Sequence, residues 1–253
     1  MATKLTAAER QAQIVELLSN NGTMKAIELA DYFQVSRETI RRDLITLNEA
    51  GTVKKWFGGA MPVNDFRIQP VDARTDNQEI KMRICQKALD YIPDHAVLFL
   101  DTGSTVLCMA QLLKDRSGYT IITNSIPVIN VLLESNNQVI ITGGSVNQQI
   151  MSIMGLQTVS FLEKIKLDVA ILGSSGYDRH KGPTSNNLDD GQIKHVVIDN
   201  AQTSIVLADS RKATHSSLTQ YASWRDIDYL ITDDGVSPQK LEALKEQTDV
   251  ILA

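Results

Sequence analysis

The chain has 253 residues, 43% hydrophobic and 22% charged, with 14 Gly and 6 Pro; it can fill a sizeable core and lacks the bias of collagen-like, mucin-like or wholly disordered chains. No apolar run nears the roughly 20 residues that cross a bilayer, and the opening MATKLTAAERQ lacks a signal-peptide core, so a cytoplasmic protein without membrane contact is expected. The formal charge of −5 hides an asymmetry: residues 1–60 hold 8 Lys+Arg against 7 Asp+Glu, and the remainder carries the acid.

Thr6-Ala-Ala-Glu9 reads as a capping box, and Ile14, Leu17 and Leu18 follow at helical spacing until Asn20-Asn21-Gly22. Ile27, Leu29, Ala30 and Phe33 predict a short second helix, poorly capped because Lys25 holds the cap position. A third helix starts at once with Ser36 as N-cap and Glu38 in its first turn, and Ile40, Leu44 and Leu47 form its buried stripe. After Gly51, the run from Thr52 to Gly59 has the composition of a β-ribbon closed or terminated by glycines. This is a winged helix-turn-helix pattern over residues 1–60. The 100° helical step sets Glu38, Arg41 and Arg42 opposite the buried stripe, flanked by Arg37 and Thr39. Such a face enters a major groove, where arginines pair with guanine edges or phosphates and a glutamate accepts from cytosine. Lys54 and Lys55 in the wing would reach phosphates or the adjacent minor groove. The bland alternative is a solvated charged helix face.

Residues 61–76 hold Pro62 and Pro70 without periodicity and read as a linker. Residues 77–253 then repeat a β-rich apolar run, a polar loop and a helical pattern. The runs are Ala96–Leu100, Thr120–Ile122, Gln138–Ile141, Asp168–Leu172, Ser204–Ala208, Asp228–Ile231 and Val250–Leu252. That spacing predicts an α/β unit with a mostly parallel sheet. Cys85 and Cys108 lie in amphipathic or apolar stretches without ligands at metal spacing, so neither a disulfide nor a metal site is expected.

In open parallel sheets, ligands collect where strand ends meet helix N-termini. Leu100 runs into Asp101-Thr-Gly-Ser-Thr105, Ile122 into Thr123-Asn-Ser125, and Ile141 into Thr142-Gly-Gly144. Leu172 runs into Gly173-Ser-Ser-Gly176 and Ala208 into Asp209-Ser-Arg-Lys212. Taken singly, each is an ordinary turn. Together with Lys194, Arg211 and Lys212 they suit a phosphorylated polyol, with carboxylates and Asn for hydroxyls, and amides and Lys for phosphate.

The run VSRETIRRDLITLNEAGTVKKWFGGA resembles the N-terminal signature of the DeoR family of bacterial transcriptional repressors, through Ser36, Thr39, Ile40, Arg41, Arg42, Asp43, Leu44 and the pair Gly58-Gly59. LDTGST, TNS, DVAILGSSG, GPTSNNLDDGQIK and ADSRK resemble the effector domain of the same family, so the resemblance covers essentially the whole chain. It implies a C-terminal fold similar to ribose-phosphate and glucosamine-phosphate isomerases, a phosphorylated sugar or sugar-derivative effector, and release from operator DNA. Implied effector contacts are Asp101, Gly103, Ser104, Thr105, Asn124, Ser125, Gly144, Gly176, Asp190, Lys194, Asp209 and Lys212; implied DNA contacts are Ser36, Arg37, Glu38, Thr39, Arg41, Arg42, Lys54 and Lys55. The expected protein is a carbohydrate-operon repressor without cofactor, acting as a homo-oligomer, dimer or tetramer. The competing class is a sugar-phosphate isomerase with an appended helix-turn-helix, in which Asp190 would be the base. None of His95, His180, His195 and His215 has a spacing that marks a catalytic pair.

Overall fold

A computed structural model of the protein describes residues 5–21, 24–50, 52–56, 59–62 and 77–253. The chain divides into two compact units, Met1–Arg67 and Ile68–Ala253.

In the N-terminal unit, α1 (Ala7–Asn21) opens on the capping box: Glu9 Oε2 accepts from the Thr6 amide at 2.9 Å, and Thr6 Oγ1 accepts from the Glu9 amide at 3.3 Å. A two-residue strand, β1 (Met24–Lys25), precedes α2 (Ala26–Phe33). Lys25 supplies no side-chain cap, and the Glu28 carboxylate takes its amide instead at 2.8 Å. Gln34, at φ 51°, turns the chain into α3 (Arg37–Glu49), where Ser36 Oγ accepts from the Thr39 amide at 3.1 Å. The expected ribbon is two strands, β2 (Val53–Trp56) and β3 (Gly59–Pro62), antiparallel to each other. β3 runs two residues past the expected domain limit at 60 and also pairs with β1, a strand too short to leave a periodic signal. Gly59 is required at that crossing, since a Cβ there would lie 2.2 Å from the Met24 carbonyl oxygen. Ile14, Leu18, Leu29, Ile40, Leu44, Leu47 and Val53 close a core of their own. Gly22, Gly51, Gly58 and residues 63–76 of the expected linker lie outside the described residues.

The C-terminal unit begins with α4 (Gln78–Ala88), β4 (Val97–Leu100), α5 (Ser104–Lys114), β5 (Ser117–Thr123), α6 (Ile126–Leu132) and β6 (Asn136–Ile141). A hairpin of β7 (Ser145–Asn147) and β8 (Ser152–Met154) follows, then α7 (Leu156–Leu162) and β9 (Leu167–Gly173). After β10 (Thr184–Ser185) come α8 (Leu188–Asp199), β11 (Ala201–Leu207), β12 (Thr219–Gln220), β13 (Tyr229–Thr232), α9 (Pro238–Lys245) and β14 (Asp249–Leu252). Each of the seven predicted runs is a strand of one parallel sheet, in the order β14-β13-β11-β9-β4-β5-β6. The β7–β8 hairpin and the antiparallel pair β10–β12 were not legible as strands.

Both faces of the sheet are buried, which is why its strands read as continuous apolar runs. Phe99, Ala170, Leu172, Val206 and Leu230 pack on one side with Val159 and Leu162 of α7 and Ile193 and Val197 of α8. Leu98, Leu100, Ile171, Ile205 and Ile231 pack on the other with Ile84 of α4 and Val106, Met109 and Leu113 of α5. The chain travels outward from β4 through β5 to β6, then returns to lay β9 beside β4 and proceeds the other way. The two neighbouring strands therefore leave in opposite directions at their carboxyl ends, and a crevice opens between them.

Candidate functional site

The N-terminal unit presents the outer face of α3. With Ile40, Leu44 and Leu47 buried, Arg41 and Arg42 stand out with 67% and 78% of their side chains exposed. Glu38 lies within 3.7 Å of Arg41 and 3.5 Å of Arg42, so one carboxylate holds both guanidinium groups on a single face. Arg37 is exposed beside them. Ser36 and Thr39 sit at the helix start with their hydroxyls 2.8 Å apart, and Ser36 is committed to capping. Lys54 and Lys55 fall on β2 opposite Met61 and Ala60, and their side chains lie outside the described part of the structure. Asp43, passed over as a mere motif position, is buried and ion-paired to Arg10.

The C-terminal unit holds a cleft of about 250 Å³ at the β4–β9 switch point. One wall is the start of α5. Gly103, at φ 140°, is its N-cap and offers no side-chain acceptor; the first helical bond runs from the Leu107 amide to the Gly103 carbonyl. The amides ahead of it lack helical acceptors, and with the helix dipole they make Gly103–Thr105 a receptor for negative charge. Lys212, from a 3-10 turn (Ser210–Thr214), lines the cleft.

The floor is a chain of charges. Asp101, fully buried after β4, accepts at Oδ2 from the Gly173 amide (2.8 Å) and from Lys194 of α8. Lys194 also lies 3.4 Å from Asp190 Oδ2, which accepts from Ser185 Oγ at 2.6 Å. The Tyr221 ring sits under the ammonium at 5.5 Å. Burial, with the neighbouring Asp190 charge, pushes the Asp101 carboxyl up to about 6 against the pull of Lys194. Burial also works against the Lys194 charge, but Asp101 and Asp190 outweigh it and its pKa rises, so the lysine stays protonated. The other oxygen of each carboxylate, Asp101 Oδ1 and Asp190 Oδ1, is buried without a hydrogen-bond partner. Chemically, the cleft offers cationic and amide donors along its wall and, at its floor, the Asp190 carboxylate, with Asp101 buried behind it.

Of the residues singled out by sequence, Gly103, Ser104, Thr105, Asp190, Lys194 and Lys212 come together as cleft lining, with Asp101 beneath them. Lys194 is committed to two aspartates, so it organises the floor where it was expected to meet phosphate directly. Five others stand apart from the lining and do structural work. Asn124 is buried and donates to Ser152 Oγ (2.9 Å) and the Ile153 carbonyl, fastening β8 to the end of β5. Ser125 caps α6. A Cβ on Gly144 would lie 2.4 Å from the Met154 carbonyl oxygen, and one on Gly176 2.4 Å from that of His215. Asp209 caps the Ser210–Thr214 turn and pairs with Arg211; burial opposes its charge, yet Arg211 and Lys212 hold its carboxyl below the usual range.

The loop Gly173-Ser-Ser-Gly176, read from sequence as suited to a ligand, brings Ser174 and Ser175 into the lining, whereas sequence reasoning missed Ile150, Ser185, Asn186 and Asn187 as lining residues. Ser185-Asn186-Asn187 directly precede the helix carrying Asp190 and Lys194, and Asn187 is its N-cap, a signal that was available. Ile150, at the tip of the β7–β8 hairpin, has none. Among the described residues, no group of three His, Cys, Asp or Glu side chains is placed to hold a metal ion, and no helix is long and apolar enough to cross a membrane. Cys85 and Cys108 are buried free thiols.

Two family profiles match the chain: a DeoR-like helix-turn-helix domain over residues 10–65 and a DeoR C terminal sensor domain over residues 76–234. It is 30% identical over 240 residues to the HTH-type transcriptional regulator GlpR of Haloferax volcanii, covering 94% of each chain. It is 29% identical over 243 residues to the glycerol-3-phosphate regulon repressor of Escherichia coli, covering 95% of each. Among solved structures, ribose 5-phosphate isomerase A from Methanocaldococcus jannaschii aligns with a TM-score of 0.41 at 17% identity, over 54% of this chain and 55% of that one.

Proposed function

The chain belongs to the DeoR family of DNA-binding transcriptional regulators, and from that premise we propose that it represses a carbohydrate-utilisation operon under control of a small phosphorylated sugar or polyol held in the β4–β9 cleft. The observation that carries this reading is the polarity of the cleft: amides at the start of α5 and Lys212 suit a phosphate, while the partnerless Oδ1 of the lining residue Asp190 suits a hydroxyl donor. Relatives named for the glycerol-3-phosphate regulon support a ligand of that size and charge. Arg37, Glu38, Thr39, Arg41 and Arg42 read the major groove, and Lys54 and Lys55 meet the backbone from the wing. Ser36 sets the start of the reading helix.

The protein works on DNA in the cytoplasm as an even-numbered homo-oligomer, dimer or tetramer, because paired half-sites call for paired helices. Effector and operator are linked: an effector that weakens operator affinity tenfold itself binds the DNA-bound form tenfold more weakly, about 1.4 kcal/mol of coupling. Asp190 serves to bind a hydroxyl, and no isomerisation is expected.

The test is a thermal-shift screen of the full chain against phosphorylated sugars and polyols, each beside its unphosphorylated parent, followed by gel shifts with the hits. At least one phosphate ester should raise the melting temperature by mass action and alter DNA binding while its parent does neither. Equal shifts from esters and parents, no response to any ester, or steady turnover of a pentose or hexosamine phosphate abolished by Asp190→Asn would overturn the reading.

A further inference from the structure

The buried Arg10–Asp43 pair lies outside both the reading face and the cleft. Asp43 sits on α3 between Arg42 and Leu44, turned inward and 3% exposed. Arg10 of α1 grips it as a fork, Nε to Oδ2 at 2.6 Å and Nη2 to Oδ1 at 3.2 Å, and Gln11 Nε2 adds a third donor to Oδ1 at 2.9 Å. Three donors from adjacent residues of one helix thus fill both carboxylate oxygens on the other. The remaining core between these helices is apolar, Ile14 and Leu18 with Ile40, Leu44 and Leu47. Apolar burial has no direction, whereas a two-pronged ionic contact has one orientation.

We infer that the Arg10–Asp43 fork sets the roll of the reading helix, making Arg10 and Asp43 positioning residues for sequence-specific DNA recognition. Side-chain tips lie about 5–6 Å from a helix axis, so a roll of about 20° carries them about 2 Å. That is enough to lose a hydrogen bond to a base edge, while flexible contacts to phosphates survive it. Arg41 and Arg42 are tied only to Glu38 of their own helix among the described ion pairs, so their bearing on DNA follows that of α3.

This rests on α3 being the DNA-reading helix, and the experiment separates the two ideas. Full-length Arg10→Met/Asp43→Leu and Arg10→Lys are compared with wild type on two probes: the consensus duplex that wild type enriches from a randomised pool, and poly(dI-dC). An apolar pair of this volume often leaves stability intact. The double variant should keep its melting temperature and its poly(dI-dC) affinity yet bind the consensus at least tenfold more weakly. Arg10→Lys, which keeps the charge and loses the fork, should fall between. A wild-type ratio of consensus to poly(dI-dC) affinity in the folded double variant overturns the inference; if that variant does not fold, a wild-type ratio in Arg10→Lys does so. Arg41→Ala then shows whether the docking itself stands, because it must lose consensus affinity whichever way the fork behaves.

Discussion

Asp101→Asn in the full-length chain changes one atom and one charge at the floor of the cleft, and its effect should depend on pH in a defined way. Asp101 is fully buried, and its carboxyl rises from 3.8 to about 6, with burial as the largest cause. An acid moved that far costs the folded state about 3 kcal/mol once both forms are ionised, above pH 6. Between about pH 4 and 6 the folded chain keeps a proton that the unfolded chain has released, so wild-type stability climbs as pH falls through that window. The substituted amide cannot titrate, so the difference in unfolding free energy between wild type and variant should change by about 3 kcal/mol from pH 7 to pH 4. The absolute offset is a separate quantity, because an amide nitrogen at the unpartnered Oδ1 position introduces a buried donor of its own. The chain has 2 Trp, and Trp224 is buried edge-on against Tyr177 in the C-terminal unit. In a Trp56→Phe background, urea unfolding followed by Trp224 fluorescence therefore reports that unit alone. A difference that stays flat from pH 4 to 7 would refute the charge balance argued for the floor.

Two further outcomes concern the N-terminal unit. Arg41→Ala and Arg42→Ala should each cost about 1–3 kcal/mol of operator affinity where the arginine meets a base; unchanged gel-shift midpoints in both variants would remove α3 from the groove. Gly59→Ala would drive a methyl group to 2.2 Å from the Met24 carbonyl oxygen, so it should destabilise the wing sheet by about 1–3 kcal/mol, measured as a lower midpoint for the N-terminal unit in thermal unfolding; a wild-type midpoint would show that β1 yields freely.

Local order was legible because it is written within one or two turns of chain. The capping box at Thr6 and Glu9, the Ser36 cap, the Ile40–Leu44–Leu47 stripe and all seven strands of the sheet follow from spacing and residue type, which act over neighbours in sequence. The loops suited to a ligand were legible too, since small polar residues after apolar runs mark strand ends. What spacing cannot carry is the choice of partner. Asp101 and Lys194 meet across 93 positions, and Arg10 and Asp43 across 33. The first pair exists only because β9 returns to lie beside β4, making a crevice over which α8 folds. The same return separates look-alike loops: Gly103–Thr105 open into the cleft, whereas Gly144 and Gly176 are spent on close backbone approaches elsewhere. Sequence alone determined the elements and their faces, because amphipathic periodicity and caps are short-range. Strand order and long-range packing decided which charges are buried together, and hence that Lys194 holds two aspartates in place where a phosphate had been expected.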